Sequence, residues 1–340
     1  MRLFRQRTLL APYVAVLLAA FCALPAAAST RYSIAPVLFP RYITAGPIAG
    51  VDARGEMAGV GLEVGSKLTD CVYFDGTLLV DLTHGSGNLC HFSKMNARGV
   101  AVGQYFDTSG YLNYAVLYAR RKLTYIDKLV DSFLDFDDDG LAVGNDFSNR
   151  FAVYAVGARK IVFELYDPAR QCAMSFPFAI NDRRTVFGYD QCVGGSVRYE
   201  TVQDGVFTYF ELPAGYSLQT IGTRAAFNDG NQIALSQAGS GHAFLWSTGA
   251  QTPPLDLGTL AEDPEGTYAV TALSDTMAVG TSSGGYSWVW TRAGGMVDLD
   301  ALLPFNTYGW IQPEAVDAQG DIGCASGGEP FTWLYLRRVR

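Results

Sequence analysis

The densest run of acidic residues has the spacing of a calcium-binding loop. Asp135, Asp137 and Asp139 would occupy loop positions 1, 3 and 5, Gly140 position 6, and Asp146 position 12. Oxygen ligands at alternate positions can surround a Ca²⁺ ion, and glycine permits the sharp bend between them. Aspartate is also common in tight turns for conformational reasons alone, so both interpretations stay open. If calcium binds here we expect it to be structural, and the sequence predicts no other cofactor.

The three histidines offer little metal or nucleophile chemistry. His84 and His91 lie near Cys90, and a zinc site or a cysteine nucleophile there would require that thiol to be free. His242 begins a predicted strand at a position where equivalent segments carry tyrosine, so we interpret it as a packing residue. Glycine–serine pairs in the sequence lack the strand–turn–helix setting that activates a serine nucleophile.

Five carboxylates in predicted loops could do acid–base chemistry. They are Asp190, Glu262, Asp263, Glu265 and Glu314. Glycoside hydrolysis needs a pair of carboxylates, and residues far apart in the chain can supply one, so linear spacing does not reveal such a pair. The alternative is that these are solvated loop charges. We therefore assign no catalytic residue.

Aromatic residues are frequent in the same loops and suit a binding surface. Tyrosine and tryptophan combine an apolar ring face with a polar tip, which favours contact with proteins and sugars. The longest predicted connection runs from Leu302 to Glu314, with Trp310 near its middle as the strongest candidate contact. Packing of some rings beneath their own loops is the alternative. The predicted ligand-binding residues are Tyr105, Tyr189, Tyr268, Tyr308 and Trp310, and further loop aromatics are Tyr111, Tyr166, Tyr216 and Phe305.

These residues are carried by a repeat of about 44 residues that runs from about Ile48 to the C-terminus. Its clearest copy spans Ala226–Leu260, where an Asn-Asp-Gly turn joins two short strands and two further strands follow. Four strands in about 45 residues is the spacing of a propeller blade. The sequence therefore predicts an all-β, seven-bladed β-propeller with four-stranded blades. The small-residue strand after the turn recurs at positions 59, 103, 144, 188, 235, 280 and 324.

Both ends of the repeat array fit a closed ring. The last repeat stops after its third strand, at Leu334–Leu336, and residues 31–38 have the composition of a spare strand. Closing the ring with one strand from each end leaves only short, protected sheet edges. We predict that the N-terminal strand completes the last blade.

Segments of the clearest repeat resemble a known family. Asn228-Asp229, His242-Ala243-Phe244-Leu245-Trp246 and Asp256–Leu260 are together similar to the bacterial extracellular HAF repeat family, named for its His-Ala-Phe motif. The resemblance implies an exported repeat protein with no agreed activity, and it brings no catalytic residues. Many members carry a C-terminal sorting anchor, but the apolar part of residues 331–340 is too short for one, so we expect a released protein. Partial matches occur at Asn181-Asp182, Val80–Leu82 and Val297–Leu299.

The N-terminus has the pattern of a secretory signal peptide. Three arginines precede an apolar run from Leu9 to Leu24, and three alanines end at Ala28. We predict a signal peptide over residues 1–28 and a single propeller domain over residues 29–340. The alternative is an uncleaved membrane anchor. We expect a secreted or periplasmic protein with no stable membrane insertion after cleavage, since no other run approaches the ~20 apolar residues that a span needs.

Export would place the cysteines in an oxidising compartment, where disulfides persist. If the strands of each blade are labelled a to d, Cys71 and Cys90 lie in a b–c and a d–a loop, which share one end of the ring. Cys172 and Cys192 are related in the same way around blade 4. We predict disulfides Cys71–Cys90 and Cys172–Cys192, with Cys324 free in a strand. The alternative is that all five are reduced and buried.

Charge and composition narrow the function classes. The net charge is −8 and no basic cluster is present, which argues against a nucleic-acid partner. We expect a monomeric, exported, non-catalytic module that binds a protein or a glycan through its loop aromatics. The alternatives are a carbohydrate-active hydrolase or lyase with carboxylates at the central channel, and a purely structural envelope protein. An enzyme predicts charged side chains converging at one mouth of the channel, whereas a binder predicts exposed aromatics on a rim.

Overall fold

The computed structural model describes most of the chain after the predicted signal peptide. That peptide and its cleavage site lie outside the described residues. Within those residues, no helix is long and apolar enough to span a membrane. The described residues are 31–126, 130–170, 172–190, 197–221, 224–304, 308–327 and 331–339.

The described residues form a seven-bladed β-propeller, which confirms the predicted fold class. Within each blade, neighbouring strands are antiparallel and follow one another as strands a to d. Before blade 4 the strands are β1 (Arg31–Val37); β2 (Ile43–Val51), β3 (Met57–Glu63), β4 (Thr69–Phe74) and β5 (Leu79–Asp81) in blade 1; β6 (Leu89–Met95), β7 (Ala101–Asp107), β8 (Leu112–Ala119) and β9 (Lys122–Ile126) in blade 2; and β10 (Ser132–Phe136), β11 (Leu141–Asn145), β12 (Phe151–Ala155) and β13 (Lys160–Glu164) in blade 3.

The second half of the ring has two local additions. A two-residue strand, β14, extends blade 4, and a small hairpin of β20 and β21 interrupts the inner part of blade 5. The strands are β14 (Tyr166–Asp167), β15 (Cys172–Ile180), β16 (Thr185–Asp190), β17 (Arg198–Gln203) and β18 (Val206–Phe210) in blade 4; β19 (Tyr216–Leu218), β20 (Thr220–Ile221), β21 (Arg224–Ala225), β22 (Gln232–Gln237), β23 (Ala243–Ser247) and β24 (Leu255–Asp256) in blade 5; β25 (Tyr268–Leu273), β26 (Met277–Ser282), β27 (Ser287–Thr291) and β28 (Gly295–Asp298) in blade 6; and β29 (Ile311–Val316), β30 (Ile322–Ser326) and β31 (Trp333–Val339) in blade 7.

The N-terminal strand closes the ring, as the sequence predicts. Strand β1 pairs antiparallel with β31 along its whole length, from Arg31 opposite Val339 to Val37 opposite Trp333. Blade 7 therefore consists of β29, β30, β31 and β1, with β1 as its strand d. Tyr32 and Val37 are buried at 2% and 0% exposure, so the closing strand contributes to the apolar core as well as to backbone pairing.

The glycine that marks most repeats is required by a close approach inside each blade. Strand a shifts its register opposite this glycine; in β6 the shift falls between Phe92 and Lys94. A Cβ atom on Gly103 of β7 would meet the carbonyl oxygen of His91, and one on Gly280 would meet the equivalent carbonyl of blade 6. Only glycine lets the bulged strand a pack this tightly on strand b.

The a–b turns use asparagine and aspartate to cap themselves. The side-chain oxygen of Asn181 accepts hydrogen bonds from the backbone N–H groups of Arg183 (3.1 Å) and Thr185 (3.0 Å). Asn96 and Asp52 accept from the two equivalent positions of their own turns. The Asn/Asp preference of the repeat is therefore a turn requirement.

The same turns also join neighbouring blades. The side-chain amide of Asn181 donates to the carbonyl of Asn228 in the next blade (2.9 Å), and the backbone N–H of Asp182 donates to Asp229 (2.8 Å). Asp182 in turn accepts from Asp138 of the preceding blade (2.6 Å). We name these linked a–b turns of blades 2 to 6 the turn belt. The Asn-Asp pair of the repeat thus holds blades together.

The cysteines agree with the sequence where the structure describes them. Cys71 and Cys90 form a disulfide, which confirms the first predicted bridge. Cys324 is a free, buried thiol in β30, as predicted. Cys192 lies outside the described residues, so the bridge from Cys172 to Cys192 stays a prediction.

Candidate binding face

The two ends of the propeller carry different side chains. Because the strands of each blade are antiparallel, the b–c and d–a connections emerge at one end and the a–b and c–d turns at the other. At the turn end, Asp139 pairs with both Arg98 (3.7 Å) and Arg184 (3.1 Å). Seven aromatic side chains of the described residues are exposed. One of them, Tyr125, lies in strand β9. The other six lie in b–c or d–a connections: Tyr42, Tyr111, Phe147, Tyr166, Trp310 and Phe331.

We name the b–c/d–a end of the described residues the aromatic face. Tyr111 is the most open of its rings at 81% exposure, and the others are between 42% and 53% exposed. Five of these rings lie in loops and Tyr166 lies in the short strand β14. Exposed aromatic rings can stack on a sugar ring or pack on a partner protein.

Trp310 is held at the start of blade 7. It directly precedes β29 and is 44% exposed. A Cβ atom on Gly327 would lie 2.7 Å from a ring carbon of Trp310, so the indole rests against the b–c loop of its own blade. The backbone N–H of Gly327 donates to the carbonyl of Trp310. The rest of the indole is exposed, and its backbone is held by this hydrogen bond. Trp310 therefore remains a candidate contact.

Two other predicted contacts, Tyr308 and Tyr268, are partly or fully buried. Tyr308 is half-buried and packs on the apolar core of blades 6 and 7. Tyr268 is 1% exposed; its hydroxyl donates to the carbonyl of Asp263 (2.6 Å) and accepts from the N–H of Leu260 (2.9 Å). The prediction that Tyr268 contacts a ligand is not supported, because the ring is tied beneath the loop that follows β24.

The last two predicted contacts lie in strands rather than loops. Tyr105 is in β7, where its ring centroid is 4.9 Å from that of Tyr125 and its hydroxyl accepts from the side-chain amide of Asn88. Tyr189 is in β16 and packs on Phe178, with ring centroids 5.6 Å apart. Both are half-buried because strand b continues past the small-residue segment seen in the sequence. They border the aromatic face without projecting from it.

Three exposed aromatics of this face were missed in the sequence: Tyr42, Phe147 and Phe331. Phe147 lies in the tight b–c turn that starts at Asp146, whose carboxylate accepts from the backbone of Ser148 and Arg150. An aromatic inside a turn of this kind has no strand position to occupy. That signal could have identified Phe147 from sequence.

The central channel contains a cavity of about 700 Å³ lined by the inner strands of all seven blades. Three of its polar side chains make hydrogen bonds that join neighbouring blades. Asp135 accepts from the N–H of Ile180 in the next blade (2.8 Å), and Glu314 accepts from the N–H of Ile48 (2.6 Å). Gln219 makes the corresponding link between blades 5 and 6. These side chains replace backbone pairs that the bulged inner strands cannot make.

The carboxylates considered for acid–base chemistry do not converge on one mouth of the channel. Glu314 lies in β29 rather than in a loop, and Asp190 ends β16, where it pairs with Arg170 at 2.7 Å. Asp263 accepts from the hydroxyl of Ser282 (2.6 Å). Glu262 and Glu265 are exposed in the same d–a connection as Asp263. Asp190, Asp263 and Glu314 thus each have a different structural partner.

Blade 4 contains a buried carboxyl group, that of Glu200, whose pKa is raised toward neutral pH. Glu200 of β17 is 1% exposed; burial, and then the charge of Asp190, raise its pKa to about 7. Arg170 partly offsets this rise and also stacks over the Tyr209 ring at 4.3 Å. Glu200 does not line the channel cavity. Its altered pKa is therefore a property of the blade interior.

The four predicted calcium ligands are not brought together. Asp135 lies in β10 and lines the channel, Asp137 and Asp139 lie in the a–b turn, and Asp146 follows β11 at the other end of the blade. Asp137 caps its turn by accepting from the N–H of Leu141 (2.7 Å). These aspartates thus have different roles, in the a–b turn and along the channel. Their positions do not support the calcium interpretation.

Comparison with known proteins finds similar folds but no family. No protein-family model matches the chain, and no curated protein matches its sequence. The β-propeller domain of the Trilobed protease from Pyrococcus furiosus is similar over 88% of this chain and 98% of that chain, with a TM-score of 0.57 and 9% identity. Virginiamycin B lyase from Staphylococcus aureus is similar over 91% of this chain and all of that chain, with a TM-score of 0.52 and 12% identity. At these identities the similarity shows the β-propeller fold alone.

Proposed function

We propose that this chain is an exported, non-catalytic module that binds a protein or glycan ligand through its aromatic face. One observation carries the proposal: six of the seven exposed aromatic side chains of the described residues lie at the same end of the propeller. A ligand that covered these rings would remove apolar surface from water, which favours binding.

The channel gives the catalytic alternative less support. Asp135 and Glu314 both accept backbone N–H groups across blade boundaries, so their oxygens are engaged in holding the ring. A glycosidase pair needs one carboxyl group that gives and takes a proton and a second that attacks or activates water. The activities named for the similar structures belong to those proteins and are not extended to this chain.

Export and family membership are part of the same proposal. The disulfide between Cys71 and Cys90 is consistent with an oxidising compartment. The His-Ala-Phe segment gains a physical role, because His242 lies 2.9 Å from Asp256 and so joins strand c to strand d. Both residues belong to the segments that resemble the HAF repeat family. We therefore propose a secreted or periplasmic monomer of that family.

A binding screen with product analysis tests the proposal. The purified protein is exposed to a glycan array and to immobilised secreted proteins, and every glycan tested is analysed by mass spectrometry for cleavage products. We expect binding without turnover. Turnover of any glycan would contradict the non-catalytic proposal and would direct attention to the carboxylates that line the channel.

A further inference from the structure

A histidine and two carboxylates of blade 1 converge near the aromatic face. Glu63 ends β3, Asp70 is the second residue of β4, and His84 lies in the d–a connection that follows β5. One potential ligand atom from each lies within 4.8 Å of the others. Asp81 is adjacent, with a carboxylate oxygen 3.6 Å from Nδ1 of His84.

Asp70 is the decisive residue of this cluster. It is 1% exposed, and its Oδ1 accepts from the hydroxyl of Thr83 (2.8 Å). Its Oδ2 is buried with no hydrogen-bond partner. A buried carboxylate oxygen is costly unless a hydrogen bond or a cation satisfies it.

The charge balance of the cluster is strongly negative. Glu63, Asp70 and Asp81 together bring three carboxylates to His84. In the part of the chain that the structure describes, no lysine or arginine forms an ion pair with any of the three. One imidazole, even when protonated, leaves negative charge that a divalent cation would neutralise.

The surrounding structure supports two of the three donors. Asp70 directly precedes Cys71, whose disulfide to Cys90 ties strand c to the end of the connection that carries His84. The ring of Tyr42 packs on the His84 ring with centroids 4.1 Å apart. Asp70 and His84 are thus supported by covalent and packing contacts, which help to orient metal ligands.

The donor types select the class of metal. Ca²⁺ favours six to eight oxygen ligands, whereas an imidazole nitrogen together with carboxylates suits Zn²⁺ and related transition-metal ions. Bonds of about 2.0–2.2 Å would place neighbouring donors roughly 3–3.5 Å apart, which small side-chain rotations reach from a separation of at most 4.8 Å. His84 is exposed, so solvent or a ligand could occupy a remaining position.

We propose that Glu63, Asp70 and His84 form a binding site for a divalent transition-metal ion, represented by Zn²⁺, at the aromatic-face end of blade 1. Asp81 lies beside His84 and adds negative charge to the site. The site does not depend on the proposed ligand of the aromatic face. It differs in position and donor set from the calcium interpretation of residues 135–146.

The test is a metal titration of the full chain without a polyhistidine tag, after removal of metal with a chelator. Isothermal titration with Zn²⁺ is expected to give one equivalent, and Co²⁺ is expected to develop a visible ligand-field spectrum. Asp70→Asn and His84→Ala should each weaken Zn²⁺ affinity by about tenfold or more. His84 is exposed, so His84→Ala keeps the test valid if Asp70→Asn fails to fold.

The matched control is His242→Ala. His242 pairs with Asp256 at 2.9 Å, but no third donor of the described residues joins that pair. Its removal should leave Zn²⁺ affinity unchanged. Absence of Zn²⁺ binding by the parent chain, or unchanged binding by His84→Ala, would overturn the proposal. Ca²⁺ binding of equal affinity that is insensitive to His84→Ala would also overturn it, because an all-oxygen site would then be present.

Discussion

At the scale of single residues, exposure separates the candidate contacts more sharply than residue type does. Trp310 and Tyr268 lie in neighbouring blades near the starts of equivalent inner strands. Trp310 is 44% exposed and Tyr268 is 1% exposed. The difference is the hydroxyl of Tyr268, which binds two backbone groups of its own loop. A tyrosine that satisfies loop backbone is part of the fold, whereas the indole of Trp310 leaves a face for a ligand.

Glu200 predicts a specific pH dependence of stability. Its pKa is raised in the folded protein to about 7, from an ordinary value near 4.5. The folded state thus holds its proton more tightly than the unfolded state does. The associated stability is fully present below about pH 4.5 and is lost as the pH rises through about 7, by roughly 2–3 kcal/mol.

Glu200→Gln removes this dependence, since the amide stays neutral while keeping the side-chain shape. We expect the variant's advantage in free energy of unfolding over the parent chain to grow by roughly 2–3 kcal/mol between pH 4.5 and pH 8. Urea denaturation across that range measures it. Glu211→Gln, at an exposed position, is the control and should track the parent chain. A constant difference between Glu200→Gln and the parent would show that Glu200 titrates normally.

At the scale of elements, the Asn-Asp turn is both a turn cap and a link between blades. Asn181→Asp separates the two roles, because the carboxylate still accepts from Arg183 and Thr185 but no longer donates to Asn228. We expect the variant to lose about 1–3 kcal/mol in free energy of unfolding, since a buried carbonyl loses its donor.

The matched control for that variant is Asp182→Asn. This change keeps an oxygen that can accept from the N–H of Asp138, so we expect a smaller loss of stability. Chemical denaturation of both variants measures the difference. Equal stability of Asn181→Asp and the parent chain would mean that the hydrogen bond from Asn181 to Asn228 contributes nothing to stability.

The elements show how far the sequence could predict the structure. Local turn chemistry located the a–b hairpins correctly, because Asn, Asp and Gly satisfy a turn without help from the rest of the chain. Strand ends were less predictable; Tyr105 and Tyr189 lie in strands because β7 and β16 continue beyond their small residues. Contacts between blades have no local sequence signal. The hydrogen bond from the N–H of Ile48 to Glu314, for example, joins positions 266 residues apart.

At the scale of the whole molecule, the period of about 44 residues predicted seven blades, and the incomplete last repeat together with the spare N-terminal strand predicted how the ring closes. Removing β1, residues 31–37, should leave β31 as an open edge and take the buried Tyr32 and Val37 from the core. We expect a loss of several kcal/mol and a tendency to associate through the open edge.

Calorimetry and size-exclusion chromatography of this truncation measure both effects. A chain that begins at Arg31 retains the strand and serves as the control. Unchanged melting and a monomeric truncated chain would contradict a structural role for the closing strand.

Two single substitutions distinguish a ligand at the aromatic face from a ligand in the channel. The affinities of Trp310→Ala and Lys94→Ala are compared for a ligand found in the binding screen. Lys94 lines the channel near Asp135, and Trp310 lies on the aromatic face. We predict that Trp310→Ala weakens binding by about tenfold or more with an unchanged melting temperature, while Lys94→Ala binds like the parent chain. Loss of binding in Lys94→Ala with full binding in Trp310→Ala would contradict binding at the aromatic face and would place the ligand in the channel.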